Sequence, residues 1–482
     1  MNANLILRNA TVVDGSGKER YVADVAIAGE RIAGIGSFES SDVPALDARG
    51  QVLAPGFIDS HTHDDGYLLA HPDMTPKVSQ GITTVVTGNC GVSLAPLVSA
   101  QIPQPLDLLG PPSLFRFKTF ASWLDALRTA PPAVNVIPLV GHTTLRVAAM
   151  ADTGRAATTE EIDAMRALME EAMKAGAFGM STGTFYPPAA HAPTDEIIEV
   201  GAPIRTHGGL YATHLRDEAD HIVPAMDEAL AIGQALDCLV VFSHHKLAGE
   251  KNHGRSAETL ALMERAGTMQ PVCLDCHPYP ATSTMLRLDR VRISRRTMIT
   301  WSKGYPQAKG RDFADVMQEL GLSDEETLRK LAPAGAIYFL LDEKDVKRIM
   351  THPLAMVGSD GLPFDPHPHP RQWGTFTNVL RTLVREQSLL SLEEAVHKMT
   401  GQAARNYGLP ERGLLQPGYY ADLVLFDPDR VADRATFQDP IQISQGIQGV
   451  WVNGRQVWND GAAGAERPGK VLTPTRKPES SQ

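Results

Sequence analysis

"PGFIDSHTHDD", residues 55–65, places two histidines one residue apart at the end of an apolar run and follows them with two acids. Side chains alternate faces along a β-strand, so His61 and His63 point to one side and converge on one spot if this stretch is extended. Two convergent imidazoles are a metal-ligand geometry. Whether they serve one depends on what the rest of the chain brings to the same place.

Working outward, the chain reads as strands alternating with helical segments, the signature of repeated βα units around a parallel sheet. Eight candidate strands follow one another: "GFIDSHTH", "ITTVVTGNC", "VNVIPLVGH", "AFGMSTGTF", "GLYATHLRD", "LVVFSHHK", "PVCLDCHPY" and "AMVGSDG". Eight is the number that closes a TIM-type (β/α)8 barrel. The helices between them carry their own signals. Thr158 and Glu161 form a possible capping box, Ile162, Met165, Leu168 and Met169 trace one apolar face, and Gly176 ends the segment.

Both ends of the chain have a different texture. "LILRNATVVDGSGKERYVADVAIAGERIAGIGSF" consists of short β-branched runs between turn residues, and "GYYADLVLFD" and "IQGVWVNGRQVW" repeat that pattern at the far end, with a hairpin dipeptide at Asn453-Gly454. The expected organisation is an α/β chain in which residues 1–55 and 414–482 build one small β-sandwich domain around a barrel at 56–413. The barrel carries a mostly helical insertion at about 280–352, and the Pro-rich residues 466–482 are expected to form a loosely held tail.

At 482 residues the chain has ample material for a core, and its net charge of -11 creates no field attractive to nucleic acid or to an anionic membrane. A small-molecule partner is expected instead. The N-terminus lacks the features of a secretory signal and no apolar run is of spanning length, so a cytoplasmic location is expected. Four cysteines are too few to staple such a chain. Cys273–His277 spells C-L-D-C-H, the spacing of a c-type haem attachment site, but haem attachment belongs with export and the run reads as a buried strand.

In barrels of this kind catalytic groups sit at the C-terminal ends of the strands. Ligand-type residues fall there repeatedly: His61 and His63 after the first strand, Cys90 after the second, His214 after the fifth, His244 after the sixth and Asp360 after the eighth. A lone histidine is commonly a satisfied core residue, but that explanation would have to hold separately at each position. Imidazole, thiolate and carboxylate together suit Zn²⁺ far better than the all-oxygen preference of Mg²⁺ or Ca²⁺. Catalytic zinc activates water and polarises carbonyls, so hydrolysis is the expected chemistry.

"PGFIDSHTH", the single histidines after strands five and six and "GSDG" after strand eight together resemble the amidohydrolase superfamily over essentially the whole chain. More narrowly, "TGNCG", "FSHHK", "VGSDG" and "HPRQWGTF" are similar to the D-aminoacylases, the N-acyl-D-amino acid deacylases. Many superfamily members bridge two metals with a carboxylated lysine on strand four, yet "AFGMSTGTF" has no lysine, and the resemblance implies that Cys90 takes over as anionic ligand. This argues against a hydantoinase or dihydroorotase. The resemblance further implies that Cys90, His214 and His244 hold one zinc tightly, with His61, His63 and Asp360 framing a second, weaker position. Asp360 would take a proton from the attacking water and pass it to the departing amine, and Lys246, Tyr279 and Arg371 would meet the substrate α-carboxylate. Tyr186 is a candidate donor to the carbonyl or acyl oxygen.

"RLDRVRISRR", residues 287–296, carries five arginines and one aspartate at the start of the insertion. A local charge of +4 suits a second substrate carboxylate, which favours N-acyl-D-glutamate, the preferred form, or N-acyl-D-aspartate, with Arg295 or Arg296 as the contact. "HPHPR", residues 367–371, is expected to be an extended loop rather than a further metal site. The rivals are a deacylase of neutral N-acyl-D-amino acids, a D-dipeptidase, and a non-enzymatic metal-binding scaffold.

Overall fold

A computed structural model describes residues 3–39 and 42–475. All eight expected strands are present, starting at Phe57–Asp59, Ile82–Thr87, Asn135–Pro138 with Val140–Gly141, and Gly179–Gly183, and continuing with Leu210–His214, Leu239–Phe242, Val272–Cys276 and Ala355–Val357. Every neighbouring pair is parallel. The third strand is interrupted at Leu139, which divides the pairing into two runs. Between the eighth and first strands, Thr62 and Gly361 form a parallel bridge and the Ser60 N–H donates to the Val357 carbonyl at 3.2 Å. Strands such as Ile82–Thr87 and Val272–Cys276 are buried along their whole length, as parallel strands covered on both faces must be, which is why they read as unbroken apolar runs.

The helix before the fourth strand, Thr159–Ala175, starts on the Thr158–Glu161 capping box and ends at Gly176 in the left-handed conformation. Met165 and Met169 lie on its buried face. The cap satisfies two amide donors that the first turn would otherwise leave open, a contribution of about 1 kcal/mol.

Strands from both ends of the chain share one nine-stranded sheet, joined where Val52–Pro55 pairs antiparallel with Leu423–Phe426. Its hydrogen bonding is continuous through a single sheet, whereas the sequence suggested the two separate sheets of a sandwich. The Asn453-Gly454 hairpin forms as expected, both residues adopting positive φ (47° and 74°) between Ile447–Val452 and Arg455–Asn459.

One further expectation is extended and one corrected. The insertion has more helix than strand, and it also carries a three-stranded antiparallel sheet, Thr282–Met285, Arg296–Ser302 and Ala334–Phe339. Its β-branched and aromatic residues fit a pleated surface, and Ile337 packs on Met298 and Ala281 beneath it. The supposed tail is held through residue 475: the Gly469 N–H donates to Pro132, the Leu472 N–H donates to Val136, and Lys470 pairs with Glu30. The remainder of that stretch, 476–482, lies outside the described residues. Among the described residues no helix is long and apolar enough to cross a membrane.

Candidate metal centre

Three residues at the strand ends depart from ordinary backbone geometry. Cys90, His244 and Asp360 have φ of 54°, 34° and 49°, in the left-handed region that non-glycine residues avoid at a cost of about 1 kcal/mol or more each. Each follows its strand at a sharp turn that swings the side chain over the mouth of the sheet. Close approach fixes the turn at Cys90: a Cβ on Gly183 would lie 2.1 Å from the Cys90 carbonyl oxygen, and one on Gly91 would lie 2.6 Å from the Gly183 nitrogen. The fourth strand has no room for a side chain at Gly183, and Cys90 occupies the adjoining space.

The consequence is a cluster in which His61, His63, Cys90 and Asp360 present ligand atoms within 4.8 Å of one another, as do Cys90, His214 and His244. Cys90 belongs to both sets. Its Sγ lies 3.3 Å from His61 Nε2 and 3.1 Å from His244 Nε2. Asp360 Oδ1 lies 3.2 Å from His63 Nε2 and 3.6 Å from His61 Nε2. All six side chains are buried. His61 and His63 stand just beyond the strand end at Asp59, with ring centroids 5.5 Å apart.

Burial opposes ionisation of the Cys90 thiol, but the surrounding imidazoles, His61 foremost, outweigh this and hold it well below the usual thiol range. Burial likewise lowers the two partners that could carry a proton on the other side: His214, with His244 beside it, is held down to about 3, and His244, beside Lys246, well below its ordinary value. Burial lowers His63 as well, yet hydrogen bonds to Asp360 and Cys90 raise it to about 9. A buried thiolate beside two neutral imidazoles is a soft, anionic donor set. Both ring nitrogens of His214 and Nδ1 of His63 have no hydrogen-bond partner. Buried polar atoms are seldom left so, and a divalent cation of the zinc type fits these residues.

Asp360 is anchored from behind by Arg371, whose Nη1 is 2.8 Å from Asp360 Oδ2 and fully buried. Burial pushes the Asp360 carboxyl up, but Arg371 and the neighbouring imidazoles hold it well below the carboxylate range. The same guanidinium donates to His277 Nε2 at 3.1 Å and to the Ser283 carbonyl at 3.1 Å, leaving its Nε without a partner. Arg371 is therefore brought to the site primarily as the partner of Asp360.

A small cavity beside the cluster is lined by Tyr186, His214, His244, Lys246, Arg290 and Asp360 among others, with room for about one water in this conformation (about 20 Å³). Lys246 and Tyr186 thus reach the site as expected, the Tyr186 hydroxyl lying 3.1 Å from Thr284 Oγ1. Tyr279 does not line it; its hydroxyl faces Gly374. Arg295 and Arg296 do not line it either. Both are turned outward into ion pairs with Glu250 and Asp312, and the side chain of Arg295 is 57% exposed. The arginine of that run that does face inward is Arg290, on the helix Leu288–Ile293. It is buried, 4.4 Å over the Phe185 ring and 3.5 Å from Glu218 Oε2.

Sequence reasoning also passed over three supporting acids and a lysine. Asp275 lies 3.2 Å from His61 Nδ1 and accepts the His244 amide at 2.8 Å. Its alternation on the seventh strand, two residues beyond Cys273, was the available signal. Glu218 lies four residues beyond His214, within 2.5 Å of Lys246 Nζ. Asp59 accepts from Lys77 Nζ at 2.9 Å and from the Ser359 amide at 2.8 Å, tying the first strand to the eighth beneath the site.

Comparison with known proteins places these residues in context. A model of the amidohydrolase family matches residues 45–458. An N-acyl-D-aspartate deacylase of Alcaligenes xylosoxydans xylosoxydans is 72% identical over 474 residues, covering 98% of this chain and 95% of that one. A solved D-aminoacylase structure, concerned with the functional role of a binuclear metal center, is 55% identical with a TM-score of 0.96, covering 98% of this chain and 100% of that one. The crystal structure of N-acyl-D-glutamate deacylase from Bordetella bronchiseptica, complexed with zinc and a phosphonate inhibitor, is 45% identical with a TM-score of 0.93 over 98% of this chain and 100% of that one.

Proposed function

We propose a function from one premise: the chain belongs to the amidohydrolase family, and is a hydrolase of it. It cleaves the amide bond of N-acyl-D-amino acids bearing an acidic side chain, using zinc. The observation that carries this reading is the meeting of Cys90, His214 and His244 beside Asp360. The 72% identity to an N-acyl-D-aspartate deacylase moves the preferred side chain from glutamate, as the arginine run first suggested, to aspartate. The word D rests on the named relatives alone. The architecture is a (β/α)8 barrel flanked by a small domain from residues 1–55 and 414–482, supported by the Thr62–Gly361 bridge and the Val52–Pro55 pairing with Leu423–Phe426.

In this reading Cys90, His214 and His244 hold the tightly bound zinc, and His61, His63 and Asp360 frame the second, weaker position. The bound metal supplies Lewis acidity, which polarises the scissile carbonyl and acidifies water. Asp360, kept ionised by Arg371, accepts the proton of the attacking water at a carboxylate oxygen and delivers it to the departing nitrogen. The Tyr186 hydroxyl is placed to donate to the carbonyl oxygen as charge develops there. Lys246 offers a donor to the α-carboxylate, Arg371, which does not line the cavity, acts through Asp360, and Arg290 receives the side-chain carboxylate in the planar, bidentate manner of guanidinium. Burial of these side chains strengthens each of these interactions.

The test is turnover of N-acetyl-D-aspartate, N-acetyl-D-glutamate, N-acetyl-D-methionine and N-acetyl-L-aspartate before and after chelation, with zinc added back. Loss on chelation, recovery with zinc and the order aspartate, glutamate, methionine support the reading. Chelator-insensitive turnover would sink the metal assignment, and preference for methionine would sink the acidic pocket.

A further inference from the structure

The geometry points to Glu218 as a positioning residue that links metal binding to presentation of Lys246: its carboxylate holds Lys246 throughout and also takes the Nδ1–H of His244 when that histidine ligates a metal. This inference rests on the reading that Cys90, His214 and His244 bind a divalent cation. The ring of His244 turns Nε2 toward the cluster, 3.1 Å from Cys90 Sγ, so Nε2 is the nitrogen available to a metal. A neutral imidazole that gives Nε2 to a metal keeps its hydrogen on Nδ1.

Two groups face Nδ1: Lys246 Nζ at 2.6 Å and Glu218 Oε1 at 3.4 Å. An ammonium only donates. The 2.6 Å contact, in which Lys246 donates into Nδ1, therefore requires the hydrogen of His244 to sit on Nε2, the arrangement that cannot ligate. Ligation by Nε2 turns Nδ1–H toward the acceptor within reach, Glu218 Oε1, and dissolves the contact with Lys246.

Lys246 is not cast loose by this exchange. Its Nζ already lies 2.5 Å from the same Oε1, and the remaining oxygen of Glu218 is 3.5 Å from Arg290. One carboxylate, 96% buried, thus touches a proposed ligand and two proposed substrate-binding cations. Released from His244 Nδ1, the ammonium keeps Glu218 Oε1 and the His244 carbonyl, the latter at 3.1 Å, and has one donor left for the cavity it already lines, where the substrate α-carboxylate arrives. The metal-loaded site is accordingly the one that offers Lys246 to substrate.

Zinc affinity of the metal-stripped full-length protein, measured by competition with a chromophoric chelator, tests this without reference to turnover. The probes are zinc itself and four proteins: wild type, E218A, E218Q and K246M. We expect E218A to bind zinc about 10- to 100-fold more weakly than wild type, the range typical of losing the acceptor behind a metal-bound histidine. E218Q, which keeps a carbonyl oxygen for Nδ1–H, should recover part of that loss. K246M should bind zinc at least as tightly as wild type, because the competing donor to Nδ1 is gone, while its KM for N-acetyl-D-aspartate at saturating zinc rises more than its kcat falls. A purely structural role for this ion pair predicts weaker zinc binding in K246M as well, and that result, or unchanged affinity in E218A, overturns the proposal. Wild type that takes up no zinc overturns the metal reading and this inference together.

Discussion

If Arg290 receives the substrate side chain as proposed, replacing it by methionine should separate recognition of an acidic side chain from catalysis. Methionine keeps most of the volume that covers the Phe185 ring, 4.4 Å away, and removes only the charge. Glu218 retains Lys246 at 2.5 Å as a counter-ion, so the substitution leaves no buried carboxylate unpaired. A hydrogen bond to a charged group contributes about 1.5–3 kcal/mol, which corresponds to roughly a 10- to 150-fold change in rate. The expected outcome is a fall of that size in kcat/KM for N-acetyl-D-aspartate, with N-acetyl-D-methionine changed by less than about threefold. R295M is the control: that side chain is 57% exposed and pairs with Glu250 outside the cavity, so it should leave both substrates unaffected. Zinc-saturated steady-state kinetics on the two substrates decide it. An equal loss on both, or a selective loss in R295M instead, would refute the reasoning.

The remaining expectations concern stability. Lys77 is fully buried between Asp59 and Asp64, 2.9 and 3.3 Å away, and K77M leaves two carboxylates without a counter-charge. A loss of about 3–5 kcal/mol is expected in denaturant unfolding, partly restored by adding D64N; a midpoint equal to wild type would contradict the charge argument. Burial pushes Glu196 up, but hydrogen bonds from His142 and Arg146 hold it down to about 2, below its ordinary 4.5. Its folded-state value is depressed, so its contribution is complete above about 4.5 and is lost as pH falls toward 2. Thermal midpoints of E196Q should therefore vary less than wild type across that window, and parallel curves would dismiss the link.

The eight parallel strands were legible because each is a short unbroken apolar run bounded by glycine or polar turns, and because ligand-type residues recur where those runs stop. The left-handed turns at Cys90, His244 and Asp360 were not legible, since they follow from contacts such as that of Gly183 with the Cys90 carbonyl, made between segments far apart in the chain. Glu218 sits in "LRDEAD", where three acids in a loop offer no period that singles out one of them. The arginine run was legible as charge, but its inward member was set by the short helix Leu288–Ile293, which buries Arg290 and turns Arg292 outward. Tyr279 failed as a pocket residue for a related reason: two residues past His277 the chain has already turned toward Gly374. The strands of the insertion escaped notice because Thr282–Met285 is only four residues long and the helices beside it carry the stronger periodicity.

The join between Val52–Pro55 and Leu423–Phe426 also sets an order of events during translation. Roughly 370 residues separate the two partners, so at about 5–20 residues per second the earlier one leaves the ribosome some 20 to 75 seconds ahead of the later. Throughout that interval the nascent polypeptide carries an apolar, unpaired edge, the kind of template on which neighbouring chains associate. Slow synthesis should accordingly lower the soluble yield of this protein more than its finished stability would suggest, and holdase chaperones should recover it.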